Sequence, residues 1–351
     1  MNLDELGWDD GWRALSEAAA AEGTPKAARV LSQAGPNLIV HDGEQEREAV
    51  VPGRVRRDAV TAEALPVVGD WVLLDGMSPP RIQVVLQRRS SLRRKTAGTV
   101  SVAQVLAANI DIVFVVAAAD AVNVRRVERM LSAAWDSGAT PVVLLTKVDL
   151  NPQFEAVAQD LRLHAPGVEV LEVATVTGQG VEAVREMLQG AQTGVLLGPS
   201  GVGKSTLVNR LLGSQAVATG AVRSDGKGRH TTVRREIHHL PGGGLLVDTP
   251  GIRELQLWDD SGDALALAFP EIEELAGGCR FTDCRHVAEP GCAVLAAVAG
   301  AQLDGDRLES LHRLRAELDG IERRVDARRR AASNRSNRGV AKSVRRMARD
   351  K

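Results

Sequence analysis

Residues Gly198-Pro199-Ser200-Gly201-Val202-Gly203-Lys204-Ser205 follow the pattern G-x-x-x-x-G-K-[ST]. Small residues are needed there because successive backbone N–H groups must curl inward around phosphate oxygens. In that geometry Lys204 reaches the β- and γ-phosphates, and the Ser205 hydroxyl ligates Mg²⁺. An apolar strand, Val195–Leu197, precedes the loop, and an apolar helix, Thr206–Leu212, follows it. The motif therefore predicts an α/β sheet with a nucleotide at the carboxyl end of one strand.

The surrounding pattern agrees. Ile112–Val116 and Val142–Leu145 are continuous apolar runs, as parallel strands buried on both faces require. Val124–Trp135 between them has helical spacing. Val168–Val173 and Leu245–Val247 read as further strands, with a helix near Val181–Leu188. This alternation predicts a doubly wound sheet. Leu245-Leu246-Val247-Asp248-Thr249-Pro250-Gly251 ends one strand in D-x-x-G. There Asp248 can hold Mg²⁺ through water, and Gly251 can present its N–H to the γ-phosphate. Between the two motifs runs a Gly-rich, polar stretch, Thr219–Arg229, ending in His230-Thr231-Thr232. Such a segment suits a switch that orders around the γ-phosphate. Either Thr can complete the Mg²⁺ shell, and Thr231 is the favoured one. Ile252 stands where a Ras-like enzyme has a water-orienting Gln. An aliphatic side chain cannot orient water, so intrinsic hydrolysis is expected to be slow or to use another group. His230 is the nearest polar candidate in sequence, with a role in the structure of the switch loop as its alternative.

Thr146-Lys147-Val148-Asp149 follows the strand Val142–Leu145 and fits N/T-K-x-D. In this element the Asp149 carboxylate accepts hydrogen bonds from guanine N1–H and the exocyclic amine, while Lys147 packs along the base. Adenine offers the wrong donors, and a buried polar mismatch is costly. Ala174-Thr175-Val176-Thr177-Gly178 follows the next strand and is similar to an S-A-K loop, without its Ser or Lys. The order is unusual. Here the base element comes about fifty residues before the phosphate loop, whereas a Ras-like chain places it last. A circular permutation gives the same sheet, because domain termini often lie close together.

Elsewhere the chain divides by composition. Residues 1–24 form an acidic leader with room for a short helix, and they lack the basic head and apolar run of a signal peptide. Ala28–Ser32, Asn37–His41, Glu48–Val55, Asp70–Leu74 and Arg81–Gln87 read as five short strands punctuated by Gly and Pro, which suits an OB-like barrel. An SH3-like barrel is the rival. Arg88-Arg89-Ser90-Ser91-Leu92-Arg93-Arg94-Lys95 reads as a basic linker. All three cysteines fall within Cys279-x₄-Cys284-x-His286-x₅-Cys292. Three soft sulfurs and an imidazole form a closed four-ligand set suited to one structural Zn²⁺. Residues 321–351 hold twelve Arg/Lys against three Asp/Glu, a net +9, so the remaining 320 residues of a chain of net charge −1 carry −10. A basic tail on an acidic body points to a polyanionic partner. Apolar residues make up 44% and charged residues 25%, which excludes general disorder. No apolar run approaches the roughly 18 residues of a membrane span.

Taken together, these motifs resemble the family of ribosome small-subunit-dependent GTPase A proteins (RsgA/YjeQ). The likeness rests on Thr146–Asp149, then Gly198–Thr206, Gly228–Thr232, Asp248–Gly251 and the cysteine set, with Glu289-Pro290-Gly291-Cys292-Ala293-Val294 especially similar. It implies a multidomain chain: leader 1–24, OB-like barrel with linker 25–97, permuted α/β GTPase domain 98–262, mainly α zinc domain 263–330 and a basic disordered tail 331–351. It also implies a cytoplasmic, monomeric GTPase that uses Mg²⁺ with GTP or GDP, binds the small ribosomal subunit and its rRNA, and assists late maturation. The nucleotide-binding roles of the family then fall on Thr146, Lys147, Asp149, Gly198–Thr206 and Gly251, and the catalytic ones on Lys204, His230, Thr231 and Asp248. Thr146 stands where Asn is commoner, which loosens the expected brace to the phosphate loop. With no Tyr, four Phe and five Trp, the barrel cannot depend on stacking bases, so Arg–phosphate contacts are expected from barrel, linker and tail. Two alternatives stand beside this reading. One is a P-loop ATPase or kinase, which leaves Thr146–Asp149 unexplained. The other is an RNA-binding zinc and OB protein with a vestigial nucleotide site, against which Lys204, Ser205 and Asp248 argue.

Overall fold

The computed structural model describes residues 1–20, 25–34, 37–58, 62–95, 103–213, 235–248 and 263–319. His230, Thr231, Thr232, Gly251, Ile252 and the basic tail lie outside the described residues.

The leader carries helix α1 (Asp10–Ala19), whose first turn is capped by the Asp9 carboxylate accepting from Trp12 N–H at 2.9 Å. Leu6 and Trp12 are buried, so this segment is part of the core. Five strands follow: β1 (Lys26–Ala34), β2 (Asn37–His41), β3 (Glu46–Ala49), β4 (Trp71–Leu74) and β5 (Ile82–Val85). They pair antiparallel in the order β3-β2-β1-β4-β5, and a parallel bridge from Val50 to Arg81 joins the two ends of that order. Alternate residues Ala28, Val30, Leu38, Val40, Val72 and Ile82 fill the interior. The run expected as strand Glu48–Val55 is strand only to Ala49, because Pro52 cannot donate to a ladder. A short helix, α2 (Gly53–Asp58), starts there instead.

The expected basic linker is a second departure. Arg88 is a bidentate partner of the buried Asp70, with Nε and Nη2 each 2.7 Å from a carboxylate oxygen. Arg89 pairs with Asp9 and lies 4.2 Å from the centroid of the Trp12 ring. Ser91–Lys95 forms strand β6, antiparallel to β7 (Ala103–Ala108). Arg88 and Arg89 are committed internally, and no RNA contact is assigned to them.

The α/β elements then run β8 (Ile112–Ala118), α3 (Val124–Asp136), β9 (Thr140–Thr146), α4 (Phe154–His164), β10 (Glu169–Val173), α5 (Val181–Met187), β11 (Thr193–Leu197), α6 (Lys204–Leu212), β12 (Arg235–His239) and β13 (Leu245–Asp248). The sheet order is β10-β9-β8-β11-β13-β12-β1, with β10 to β13 parallel along that order and β12 antiparallel to both neighbours. β8 is buried at every position, as its unbroken apolar run requires. β12, Arg-Glu-Ile-His-His, carries no apolar run and was not legible as a strand.

Beyond residue 248 no strand occurs among the described residues. Helices α7 (Asp263–Ala268), α8 (Pro270–Ala276), α9 (Ala293–Ala299) and a helix over 305–319 pack around Phe269, Ile272, Val294 and Leu311. A buried ion pair docks this bundle on α3: Arg307 Nη1 lies 2.8 Å from Glu128 Oε1, both side chains under 5% exposed. The same guanidinium donates to the His164 and Ala268 carbonyls and to Glu271, and sits over Phe269.

The Asp9–Arg89 pair gives a pH test. Hydrogen bonding from Arg89, helped by the Trp12 N–H, lowers the Asp9 pKa from 3.8 to about 2. Its contribution to stability is therefore fully present above pH 3.8 and is lost as pH falls through about 2. Asp9→Asn keeps the cap and removes the charge. It should lower stability at neutral pH and flatten the acid limb of the stability curve, followed by Trp fluorescence, in that window; an unchanged acid limb would show that the pair contributes nothing.

Candidate functional site

Three parallel strands deliver the site to one edge of the sheet. β11 runs into the phosphate loop. Gly198 has to be glycine because a Cβ there would stand 2.6 Å from the Val116 carbonyl oxygen of β8. Gly203 adopts φ +100°, the left-handed region, to turn the chain into α6. The first N–H groups of that helix lack intrahelical partners and face an anion by default. The Lys204 ammonium donates to the carbonyls of Gly198 and Pro199, at 2.7 and 2.6 Å, so it is held inside the loop it serves. Ser205 is partly buried one residue on, and Thr206 is exposed. Asp248 ends β13, the strand paired with β11. Ser205 and Asp248 thus offer a hydroxyl and a carboxylate on adjoining elements, the hard oxygen donors that suit Mg²⁺.

β9 delivers the candidate base element, Thr146–Asp149. Thr146 is 1% exposed. Its Oγ1 lies 2.6 Å from the Val202 carbonyl oxygen of the phosphate loop and 3.1 Å from that of Ala117 in β8. A hydroxyl has one proton, so it donates to the nearer, Val202. The brace expected to be loose in a Thr variant is a short hydrogen bond, made across 56 residues of sequence. Lys147 takes a left-handed conformation, φ +58°, and its ammonium lies 3.5 Å from the Asp120 carboxylate. Val148 is buried as an anchor, and Asp149 is exposed in the turn Val148–Leu150. After β10, the turn Ala174–Gly178 closes on itself, with Gly178 N–H and the Thr177 hydroxyl both donating to the Ala174 carbonyl.

Two residues at this edge were missed by sequence reasoning. Asn151 Nδ2 donates to the Ala119 carbonyl at 2.7 Å, while its Oδ1 accepts from Gln153 N–H. It ties the far side of the base loop to β8, as Thr146 ties the near side. Asp120 is the partner of Lys147. Neither contact has a sequence signature, because both join loops that only the sheet brings together.

Cys279, Cys284, His286 and Cys292 converge, their ligand atoms all within 4.8 Å of one another. Cys279 Sγ is 3.8 Å from Cys292 Sγ and 3.7 Å from His286 Nδ1, and Nδ1 is 3.4 Å from Cys292 Sγ. A tetrahedron with zinc–sulfur bonds of about 2.3 Å has edges of about 3.8 Å, so the spacing fits the ion. Desolvation, then the neighbouring sulfurs, push the Cys284 thiol up to about 11, and desolvation holds His286 below its ordinary value. A neutral imidazole suits metal binding, and a cation is what would let the thiols ionise together. Glu289 shapes the loop: its carboxylate accepts from the N–H groups of Arg285, Val287 and Ala288.

The sequence profile described as RsgA GTPase matches residues 85–258. A protein of Streptomyces coelicolor named small ribosomal subunit biogenesis GTPase RsgA is 43% identical over 94% of this chain and 90% of its own length. One of the same name from Opitutus terrae is 41% identical over 93% of this chain and 92% of its own. Among solved structures, YjeQ from Thermotoga maritima superposes with a TM-score of 0.66 at 25% identity, covering 84% of this chain and 99% of that one. YloQ, titled a circularly permuted GTPase, shares the fold with a TM-score of 0.62 at 22% identity, over 85% and 96% of the two chains.

The Thr146 brace is testable on its own. Thr146→Val keeps the shape and deletes the donor, leaving buried carbonyl oxygens short of a partner. It should lower stability to urea by about 1–3 kcal/mol, and Thr146→Ser should recover most of the loss. Equal midpoints for all three would mean that the hydrogen bond carries no load.

Proposed function

The chain belongs to the RsgA family of small ribosomal subunit biogenesis GTPases and hydrolyses GTP in ribosome maturation; from the site described above we propose which of its residues hold the nucleotide and how the other modules serve it. The triphosphate lies in Gly198–Thr206, with Lys204 against the β- and γ-phosphates. Ser205 and Asp248 hold Mg²⁺, which supplies charge neutralisation at the transferred phosphoryl group. Asp149 reads the guanine edge, and Lys147, steered by Asp120, packs along the base. Thr231 and Gly251 sense the γ-phosphate, and His230 orients the attacking water that Ile252 cannot orient. The observation that carries this reading is the Thr146–Val202 hydrogen bond, which fixes the base loop and the phosphate loop at one edge despite their reversed order in the chain. An ATPase or kinase has no use for Thr146–Asp149 in that place.

The five N-terminal strands are read as an OB-like barrel, because their order, closed by the Val50–Arg81 bridge, forms a ring. Its RNA contacts fall to exposed arginines such as Arg56 and Arg57 of α2, together with the basic tail, and no longer to Arg88 and Arg89. The Cys₃His set holds one structural zinc with no open position for chemistry.

The direct test is GTP turnover with and without purified small subunits. Stimulation by the subunit, with ATP failing to displace bound GDP, is the expected result. Turnover indifferent to the subunit would remove the ribosomal part of the reading, and ATP competing equally would remove the guanine part. Lys204→Ala should lower turnover by at least ~10²-fold, as loss of an electrostatic transition-state donor does. Cys284→Ser should release zinc, measured by elemental analysis, and loosen the C-terminal bundle. GDP affinity should persist, because that bundle has a core of its own.

A further inference from the structure

The loop from Thr146 to Asn151 leaves the sheet and is tied back to it at both ends by one residue. Ala119, just past β8, donates its N–H to the Thr146 carbonyl at 2.8 Å. Its own carbonyl accepts from Asn151 Nδ2 at 2.7 Å. Ala119 is 4% exposed and continues a strand buried at every position, which makes it a firm anchor. The next residue, Asp120, meets Lys147. Between these ties stands Asp149, exposed, in the single turn Val148–Leu150. That turn is closed by Leu150 N–H donating to the Lys147 carbonyl and Asn151 N–H to that of Val148. Among the described residues no hydrogen bond or ion pair holds the Asp149 carboxylate itself, so its place is inherited from the two ends of its loop.

Asn151 is held in the pose this requires. Pro152 follows it and keeps it out of the helical region; it adopts φ −122°, ψ 108°. From that extended backbone its Oδ1 accepts from the Gln153 N–H at 2.9 Å, just before α4 begins. A backbone N–H can only donate and a carbonyl can only accept, so the two partners fix the amide's orientation, oxygen to Gln153 and nitrogen to Ala119. A carboxylate at this position would lack the donor. A Ser hydroxyl would stop one bond short of the amide nitrogen.

We propose that Asn151 is a positioning residue for base selection. By holding the far end of the loop to Ala119 it sets where the Asp149 carboxylate stands, and so whether that carboxylate meets guanine N1–H and the exocyclic amine together. This inference rests on the reading of Asp149 as the group that recognises guanine. Two parallel hydrogen bonds to one carboxylate demand a narrow range of positions, because each weakens steeply off line. A displaced carboxylate keeps one bond and loses the other. Hypoxanthine lacks the exocyclic amine and never offers the second bond. Loss of the tie therefore costs guanine more than hypoxanthine, whereas a general loosening of the fold costs both alike.

The test measures the affinities of the full-length protein for GDP and for inosine diphosphate, with Mg²⁺ present. The parent should prefer GDP by ~10-fold or more, the worth of one hydrogen bond to a charged group. Asn151→Ser keeps an acceptor for the Gln153 N–H and gives up the reach to Ala119. It should bring the preference down to ~3-fold or less, chiefly through weaker GDP binding. Asn151→Ala should lower the preference as far and also loosen the start of α4; should it fail to fold, Asn151→Ser carries the comparison. An unchanged preference in Asn151→Ser, or an equal loss of affinity for both nucleotides, would refute the positioning role and leave the reading of Asp149 standing. Asp149→Ala tests that reading by itself and should abolish the preference. If Asp149→Ala selects as the parent does, or the parent shows no preference, the guanine reading falls and this inference with it.

Discussion

A single hydroxyl proton on Thr146 joins the two halves of the candidate site. β9 and β11 are not neighbours in the sheet; β8 lies between them. The Thr146 side chain reaches past the Ala117 carbonyl of β8 to the Val202 carbonyl of the phosphate loop. The distance between the loop Thr146–Asp149 and the loop Gly198–Ser205 is thereby set by a hydrogen bond in a dry interior, where such a bond is electrostatically strong. β8 serves as the common reference. Its Val116 demands Gly198, its Ala117 backs Thr146, and the Ala119 carbonyl just beyond it receives Asn151. Permutation of the chain leaves these contacts intact because they depend on strand adjacency, with sequence order playing no part.

At the opposite edge the fold depends on buried arginines. Arg29, 2% exposed, donates to the carbonyls of Leu6 and Asn109 and to the Thr193 hydroxyl, and lies 5.4 Å from the Trp71 ring centroid. Burial lowers its pKa from 12.5 to about 10, still well above neutral pH, so the cation persists. Its partners come from the leader, from the end of β7 and from the start of β11. Removal of the side chain would leave several buried carbonyls without donors, and its presence fixes how the N-terminal strands, the leader and the α/β sheet meet.

The difference between what was legible and what was not follows from distance along the chain. Gly198–Ser205, Thr146–Asp149 and the cysteine set are local spacings, readable from the sequence without any long-range contact. β8, β9 and β11 were legible because strands buried on both faces leave apolar runs. β12 was not, since His238 and Glu236 give no such run. Arg88 and Arg89 read as a basic linker open to phosphate contacts because Asp70 and Asp9 lie 18 and 80 residues away. The Glu128–Arg307 pair spans 179 residues, and only the packing of α3 against the C-terminal bundle brings it together. The composition of a charge run cannot say whether its partners are inside the molecule or outside it.

The N-terminal strand β1 is hydrogen-bonded along its first half to β4 and near its end to β12. The apolar cluster that holds Leu6, Trp12, Leu31 and Trp71 also holds Val113, Val143, Val195 and Val247 of the parallel strands. One apolar cluster therefore runs from the N-terminal strands into the parallel sheet, beside the separate clusters inside the N-terminal strands and inside the C-terminal bundle. A ligand at a thousand times its Kd adds about 4 kcal/mol to the folded state that binds it. Where the cluster is shared, that increment protects the N-terminal strands from unfolding together with the loop after β11. A ligand held at the carboxyl ends of the parallel strands would thus stabilise a distant part of the fold without any element having to move.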